Sequence, residues 1–240
     1  VGATARPDDL RFIVLVREPM ERAFSEWVHM ALKWTWDPIT DFGASFAARL
    51  QQLRDCNRSL FGNVAALRAL PTAELSTYLR RCWGHGGAMM YAPTSLYSVC
   101  VLHALRFVRR EQLLFLRYED LRRLGAAALL RVIARFTGLH ADPKLLADID
   151  AYDAPQPPPP PPSRRDRRPK ARKPPIARCD ARVRNRGTYA ALSPREQAHF
   201  NASRPFVGSA ALRRFFSPYN ALLAEIVGHP SFAWSDSDSR

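Results

Sequence analysis

RFIVLVREPMERAFSEW, residues 11–27, changes its hydrophobic period midway. Arg11 to Val16 form a short continuous apolar run rich in β-branched residues, the composition of a strand buried on both faces of a parallel sheet. Pro19 then stands where a first helical position is expected, and Ala23, Phe24, Trp27, Val28 and Ala31 follow at helical spacing. This is strand, turn, helix. Arg17 falls at the carboxyl edge of the strand, where ligands bind in open α/β folds. A guanidinium offers two parallel donors to a phosphate, and a serine hydroxyl about two turns along the helix adds a third, so Arg17, Arg22 and Ser25 form a candidate anion site. The alternative on spacing alone is that Arg17 pairs with Glu18 or Glu21 at the surface and Ser25 takes no part.

The same grammar recurs downstream. QLLFL, residues 112–116, is a second strand candidate that runs directly into RYEDL, again a charged turn before a helix. Glu119 and Asp120 in that turn read more simply as an acidic helix start than as catalytic carboxylates. Helices are expected over residues 41–53 and 72–81, with Asp41 and Thr72 as N-caps and a polar, irregular stretch between them. Further helices are expected over residues 92–108, 125–137 with Gly138 as terminator, 144–149 and 193–200. A last one covers residues 209–227, bent at Pro218 and stopped by Gly228. Strands alternating with helices argue for an α/β class with parallel strands.

With 240 residues, 47% of them apolar, the chain can bury a full core as one domain carrying an irregular insertion. The insertion is visible: ten of the 21 residues 155–175 are proline, which excludes helix and central strand and predicts extended or disordered chain. The net charge of +14 is concentrated beside it, since residues 163–186 hold eleven Lys or Arg against Asp166 and Asp180. Such density suits either a polyanionic partner or a solvated basic linker. Nucleic acid is not the expected partner, because the aromatic platforms and recognition helices of such modules are missing from the pattern.

Cys56, Cys82, Cys100 and Cys179 lack Cys-x-x-Cys spacing and are not grouped with histidines, so no metal site is expected. Two glycosylation sequons, Asn57-Arg58-Ser59 and Asn201-Ala202-Ser203, together with the even cysteine count, favour the secretory pathway, where up to two disulfides can form. No run of 18 apolar residues and no charged-then-apolar leader is present in these residues. A core-type strand so close to Val1 leads us to expect further protein upstream.

The opening stretch resembles the 3'-phosphate-binding segment of carbohydrate sulfotransferases, an apolar strand followed by Arg-Asp/Glu-Pro, then Arg, Ser and an aromatic residue. Arg17, Glu18, Pro19, Arg22, Ser25 and Trp27 fall on that pattern. Two later stretches agree in order. MMYAPTSLYSVCVLHALRFVRREQLLFLRYEDL, residues 89–121, is similar to the family's Gly-x-Tyr helix and its following strand and turn. LRRFFSPYNALLAEIVGHPSFAW, residues 212–234, is similar to its closing helix and final Trp. The closest flavour is the heparan sulfate 3-O-sulfotransferase and N-acetylgalactosamine 4-sulfate 6-O-sulfotransferase group.

The resemblance implies a parallel sheet related to the P-loop nucleotide-binding proteins, flanked by helices. It also implies 3'-phosphoadenosine 5'-phosphosulfate as the sulfate donor, without a metal. Arg17 and Ser25 would hold the donor's 3'-phosphate, and RVRNRGTY places Arg186 and Gly187 as further donor contacts, the alternative being an ordinary basic turn. Tyr91 would pack near an acceptor cleft, while His85 in the WGHGG turn could be structural or touch substrate. The acceptor would be a hydroxyl of an acidic or neutral glycan, and the setting the Golgi lumen, with a type II membrane anchor outside these residues. The sequence departs from the pattern in lacking the Lys-x-Gly-Thr segment that binds the 5'-phosphosulfate, so that loop, the first strand and the catalytic base are expected upstream of Val1. On this division residues 1–153 and 179–234 form one sulfotransferase domain, residues 154–178 a Pro/Arg-rich linker and residues 235–240 a tail. The alternative is a non-catalytic relative that binds glycan or nucleotide.

Overall fold

The computed structural model describes residues 7–83, 91–153 and 192–234. Two parallel strands, β1 (Phe12–Val16) and β2 (Leu113–Arg117), form its sheet, paired in register from Phe12 opposite Leu113 to Val16 opposite Arg117. The rest of the described chain is mainly helical. Each strand leads directly into a helix: β1 into α1 (Pro19–Trp27), and β2 into α6 (Tyr118–Leu124). Between them come α2 (Phe42–Cys56), α3 (Val64–Ala69), α4 (Thr72–Tyr78) and α5 (Tyr97–Ala104). After them come α7 (Ala126–Thr137), α8 (Pro143–Asp153), α9 (Pro194–Val207) and α10 (Ala210–Val227).

Local chemistry accounts for most of these boundaries. The Asp41 carboxylate caps α2 by accepting the Ala44 N–H at 2.7 Å, and Ser193 with Glu196 forms a reciprocal capping box on α9. Gly138 and Gly228 end α7 and α10 in the left-handed conformation, with φ of 72° and 78°. Three expectations need correction. The stretch between α2 and α4 contains helix α3, capped by Asn63, because one side-chain acceptor and the apolar anchor Leu67 suffice for a short helix. Thr72 is the first residue of α4 and Pro71 precedes it as N-cap, without a side-chain cap. The helix expected over residues 92–108 is broken at Leu96, after a 3-10 turn at Pro93–Ser95.

The larger core lies among the helices and is strongly aromatic. Phe24, Trp27, Phe42, Phe46 and Phe216 stack through it with ring centroids 5.2–5.9 Å apart. Inside this core Asp37 is fully buried, where it accepts from the Tyr91 hydroxyl at 2.8 Å and from Ser45, with the Arg49 guanidinium 3.7 Å away. A smaller cluster beneath the sheet joins Val16, Val101, Leu113, Phe115, Leu223 and Phe232. Only this face of β1 is covered: Ile13 and Leu15 on the other face are 44% and 52% exposed. The expectation of a strand buried on both faces is therefore not met among the described residues, because β2 pairs one edge and α10 with the Phe232 turn packs beneath. Cys56 and Cys82 form a disulfide with Cα atoms 5.6 Å apart, and Cys100 is unpaired among the described residues.

Candidate functional site

The carboxyl ends of β1 and β2 lie side by side, so the two charged turns that follow them meet. Glu18 donates its backbone N–H to Glu119 Oε1 at 2.8 Å, joining the turn after β1 to the first turn of α6. The Glu18 side chain in turn caps α1, accepting the Glu21 N–H at 2.6 Å, with Pro19 in the first helical position. This fixes the direction of α1 relative to the sheet edge. Glu119 is thus a tie between two strand–turn–helix units, with its other oxygen 3.7 Å from Arg117 Nε. Burial pushes the Glu18 carboxyl up to about 7, against the hydrogen bonds from the Glu21 and Met20 amides, which lower it; repulsion from the Glu21 and Glu119 carboxylates adds to the rise.

Arg17 leaves the end of β1 half-buried and pinned on two sides. Its guanidinium pairs with Glu21 at 3.1 Å and lies over the Tyr118 ring, 5.4 Å from the centroid. Its backbone N–H reaches the Tyr97 hydroxyl at 3.4 Å, and burial raises that phenol to about 12. Glu21 is shared. Arg204, from α9, grips the same carboxylate through both oxygens at 2.6 and 2.9 Å and covers the Phe24 ring. The pairing with Glu21 raised as an alternative by the sequence is therefore present, yet it leaves part of the Arg17 fork available to a second anion.

Ser25 lies on α1 one turn beyond Glu21, half-buried, and its hydroxyl makes no hydrogen bond among the described residues. Arg22, the third member of the sequence pattern, is committed elsewhere. It donates to the Tyr91 carbonyl at 3.1 Å and the Ser95 hydroxyl at 3.0 Å, and pairs with Glu26. Arg22 therefore tethers α1 to the turn before α5. Tyr91 packs at the interior, with no exposed surface, and burial raises its phenol far above the usual range. Arg186, Gly187 and His85 lie outside the described residues, as does the Pro/Arg-rich insertion.

The sequence singles out Arg17, Ser25 and the Arg17–Glu21 spacing, but not Arg204, which contacts Glu21, or Tyr118, which lies under Arg17. Arg204 acts on Glu21 from 183 positions away, so no local pattern announces it. Tyr118 could have been suspected, because it follows β2 as Arg17 follows β1. No group of His, Cys, Asp and Glu suited to a metal ion occurs among the described residues. Neither a protein-family model nor a curated protein nor a solved structure matches the chain.

Proposed function

We propose that this chain carries the 3'-phosphate half of a donor site for 3'-phosphoadenosine 5'-phosphosulfate, and belongs to an enzyme that moves the sulfuryl group to a glycan hydroxyl. The observation that carries this reading is Arg17 at the carboxyl edge of two parallel strands, followed on helix α1 by Ser25, whose hydroxyl makes no hydrogen bond among the described residues. In this role Arg17 presents the free part of its fork to two phosphate oxygens and Ser25 donates to another. Sulfuryl transfer needs an acceptor hydroxyl in line with the sulfur, and donors on the oxygens that gain charge as the bond to the nucleotide breaks. Arg186 and Gly187 are assigned to the donor on the resemblance alone. The open face of β1, at Ile13 and Leu15, suits a P-loop-type parallel sheet, which carries helices on both faces. The disulfide accords with assembly in an oxidising lumen, which fits the Golgi and a glycan acceptor.

Calorimetry with adenosine 3',5'-bisphosphate and adenosine 5'-monophosphate on the full-length protein tests the site. Arg17→Ala should abolish the advantage of the bisphosphate, and Ser25→Ala should reduce it by about 1.5–3 kcal/mol, roughly 10- to 150-fold. An unchanged preference in Arg17→Ala would remove Arg17 from the role. The second reading is a non-catalytic nucleotide- or glycan-binding relative. Bisphosphate binding without sulfate transfer to any glycan pool would select it.

A further inference from the structure

We propose that Asn57 is an N-glycosylation site and that Asn201, the other sequon, is not. The inference rests on the lumenal setting proposed above, but its geometry is independent of the donor site. Helix α2 ends at Cys56, and Asn57 follows as its C-cap in extended conformation, φ −154° and ψ 96°. The chain then turns on the Asn57 side chain, whose Oδ1 accepts the Ser59 hydroxyl at 2.9 Å and the Leu60 N–H at 3.2 Å. Arg58 and Ser59 are exposed, and the Asn57 Nδ2 makes no hydrogen bond among the described residues. The hydroxyl that donates into Oδ1 draws electron density toward the oxygen and makes the amide N–H easier to deprotonate. Sequon use requires an accessible surface loop.

The second sequon has the opposite geometry. Asn201 lies inside helix α9, where residues two apart point to different sides, so the Ser203 hydroxyl cannot serve the Asn201 amide. Ser203 is 2% exposed, and its hydroxyl accepts the Phe42 N–H at 3.1 Å in the core. A sugar-transfer enzyme would have to unwind α9 to use it.

Cys56, the residue before the sequon, is bonded to Cys82. In the transfer, Asn57 Nδ2 forms a bond to the anomeric carbon of a lipid-pyrophosphate-linked oligosaccharide. The bond from that carbon to the pyrophosphate oxygen breaks, the pyrophosphate leaves with the electron pair, and the amide proton passes to a base. The glycan is then carried by a residue that itself lines a groove of about 450 Å³, together with Cys56, Leu60, Tyr78, Arg81 and Cys82.

The full-length protein, expressed in a eukaryotic secretory host, is treated with an asparagine-amidase in ¹⁸O water and mapped by peptide mass spectrometry. Heavy Asp at position 57 and unmodified Asn201 are expected, with the one-glycan mobility shift lost in Asn57→Gln and in Ser59→Ala and kept in Asn201→Gln. Ser59→Ala leaves the asparagine in place, so loss of its label there reports the sequon rather than misfolding. A bare Asn57 in protein that is protease-protected within the lumen and has the Cys56–Cys82 bond closed overturns the inference and spares the lumenal setting, and an occupied Asn201 overturns it too. Protein found only in the cytosol overturns both.

Discussion

Glu18 shows how one residue of the opening stretch serves structure and electrostatics together. Its carboxyl caps α1 while buried beside Glu119, which raises it from 4.5 to about 7. A raised carboxyl pKa means that the folded state favours the protonated form. The stabilisation is complete below about 4.5, is lost as pH climbs toward 7, and above that the ionised, buried carboxylate opposes folding by a constant amount. Gln keeps an oxygen that can accept the Glu21 N–H but cannot ionise. Glu18→Gln should therefore gain stability over the natural chain as pH rises from 5 to 7.5, by up to about 3 kcal/mol, and the gain should level off beyond that. Urea unfolding at a series of pH values measures it; a difference independent of pH would show that Glu18 is not titrating in the folded state. Arg17, next to it, is argued differently, since its two anchors, Glu21 and Tyr118, set the orientation of the guanidinium before any anion arrives.

At the scale of elements, two strand–turn–helix units are joined at their turns by the bond from the Glu18 N–H to Glu119. Replacing Glu119 with Ala strips a part-buried amide of its acceptor and takes an ion partner from Arg117, at a cost of about 1–3 kcal/mol. The more telling expectation is that bisphosphate affinity falls with it, because the direction of α1 carries Ser25 relative to Arg17. Equal affinity in Glu119→Ala would confine the tie to stability. Both units were legible in the sequence because each rests on local signals: a β-branched or apolar run, a proline or acidic first turn, then apolar residues at helical spacing. Helix α3 was not, since its six residues give too little periodicity to stand out from a polar stretch. Nor could the meeting of the two turns be read, because strand pairing between Val16 and Arg117 spans a hundred residues of sequence. Arg204 was hidden for the same reason, as an ion pair made by helix packing leaves no spacing behind it.

At the scale of the molecule, the helical core and the small sheet cluster are held together by α10, which sends Phe216 and Tyr219 into one and Leu223 into the other. The helices that complete the larger core, α2 and α4, are cross-linked at their far ends by the Cys56–Cys82 disulfide, with Cys82 in the wide turn that continues α4. A bond closing a loop across 26 positions restricts the unfolded chain, and the loop-entropy relation puts that near 3.5 kcal/mol at 25 °C. Against a total stability of about 5–15 kcal/mol for a domain, this is a large share. The double variant Cys56→Ala/Cys82→Ala should unfold at a clearly lower urea concentration than the oxidised natural chain. Reductant should bring the natural chain to nearly the same midpoint and leave the variant where it is. Lost packing of two half-buried sulfurs is common to the two experiments only in part, so near-coincidence of the reduced chain and the variant would assign the effect to the cross-link. A reduced chain as stable as the oxidised one would show instead that α2 and α4 are held by the aromatic core without it.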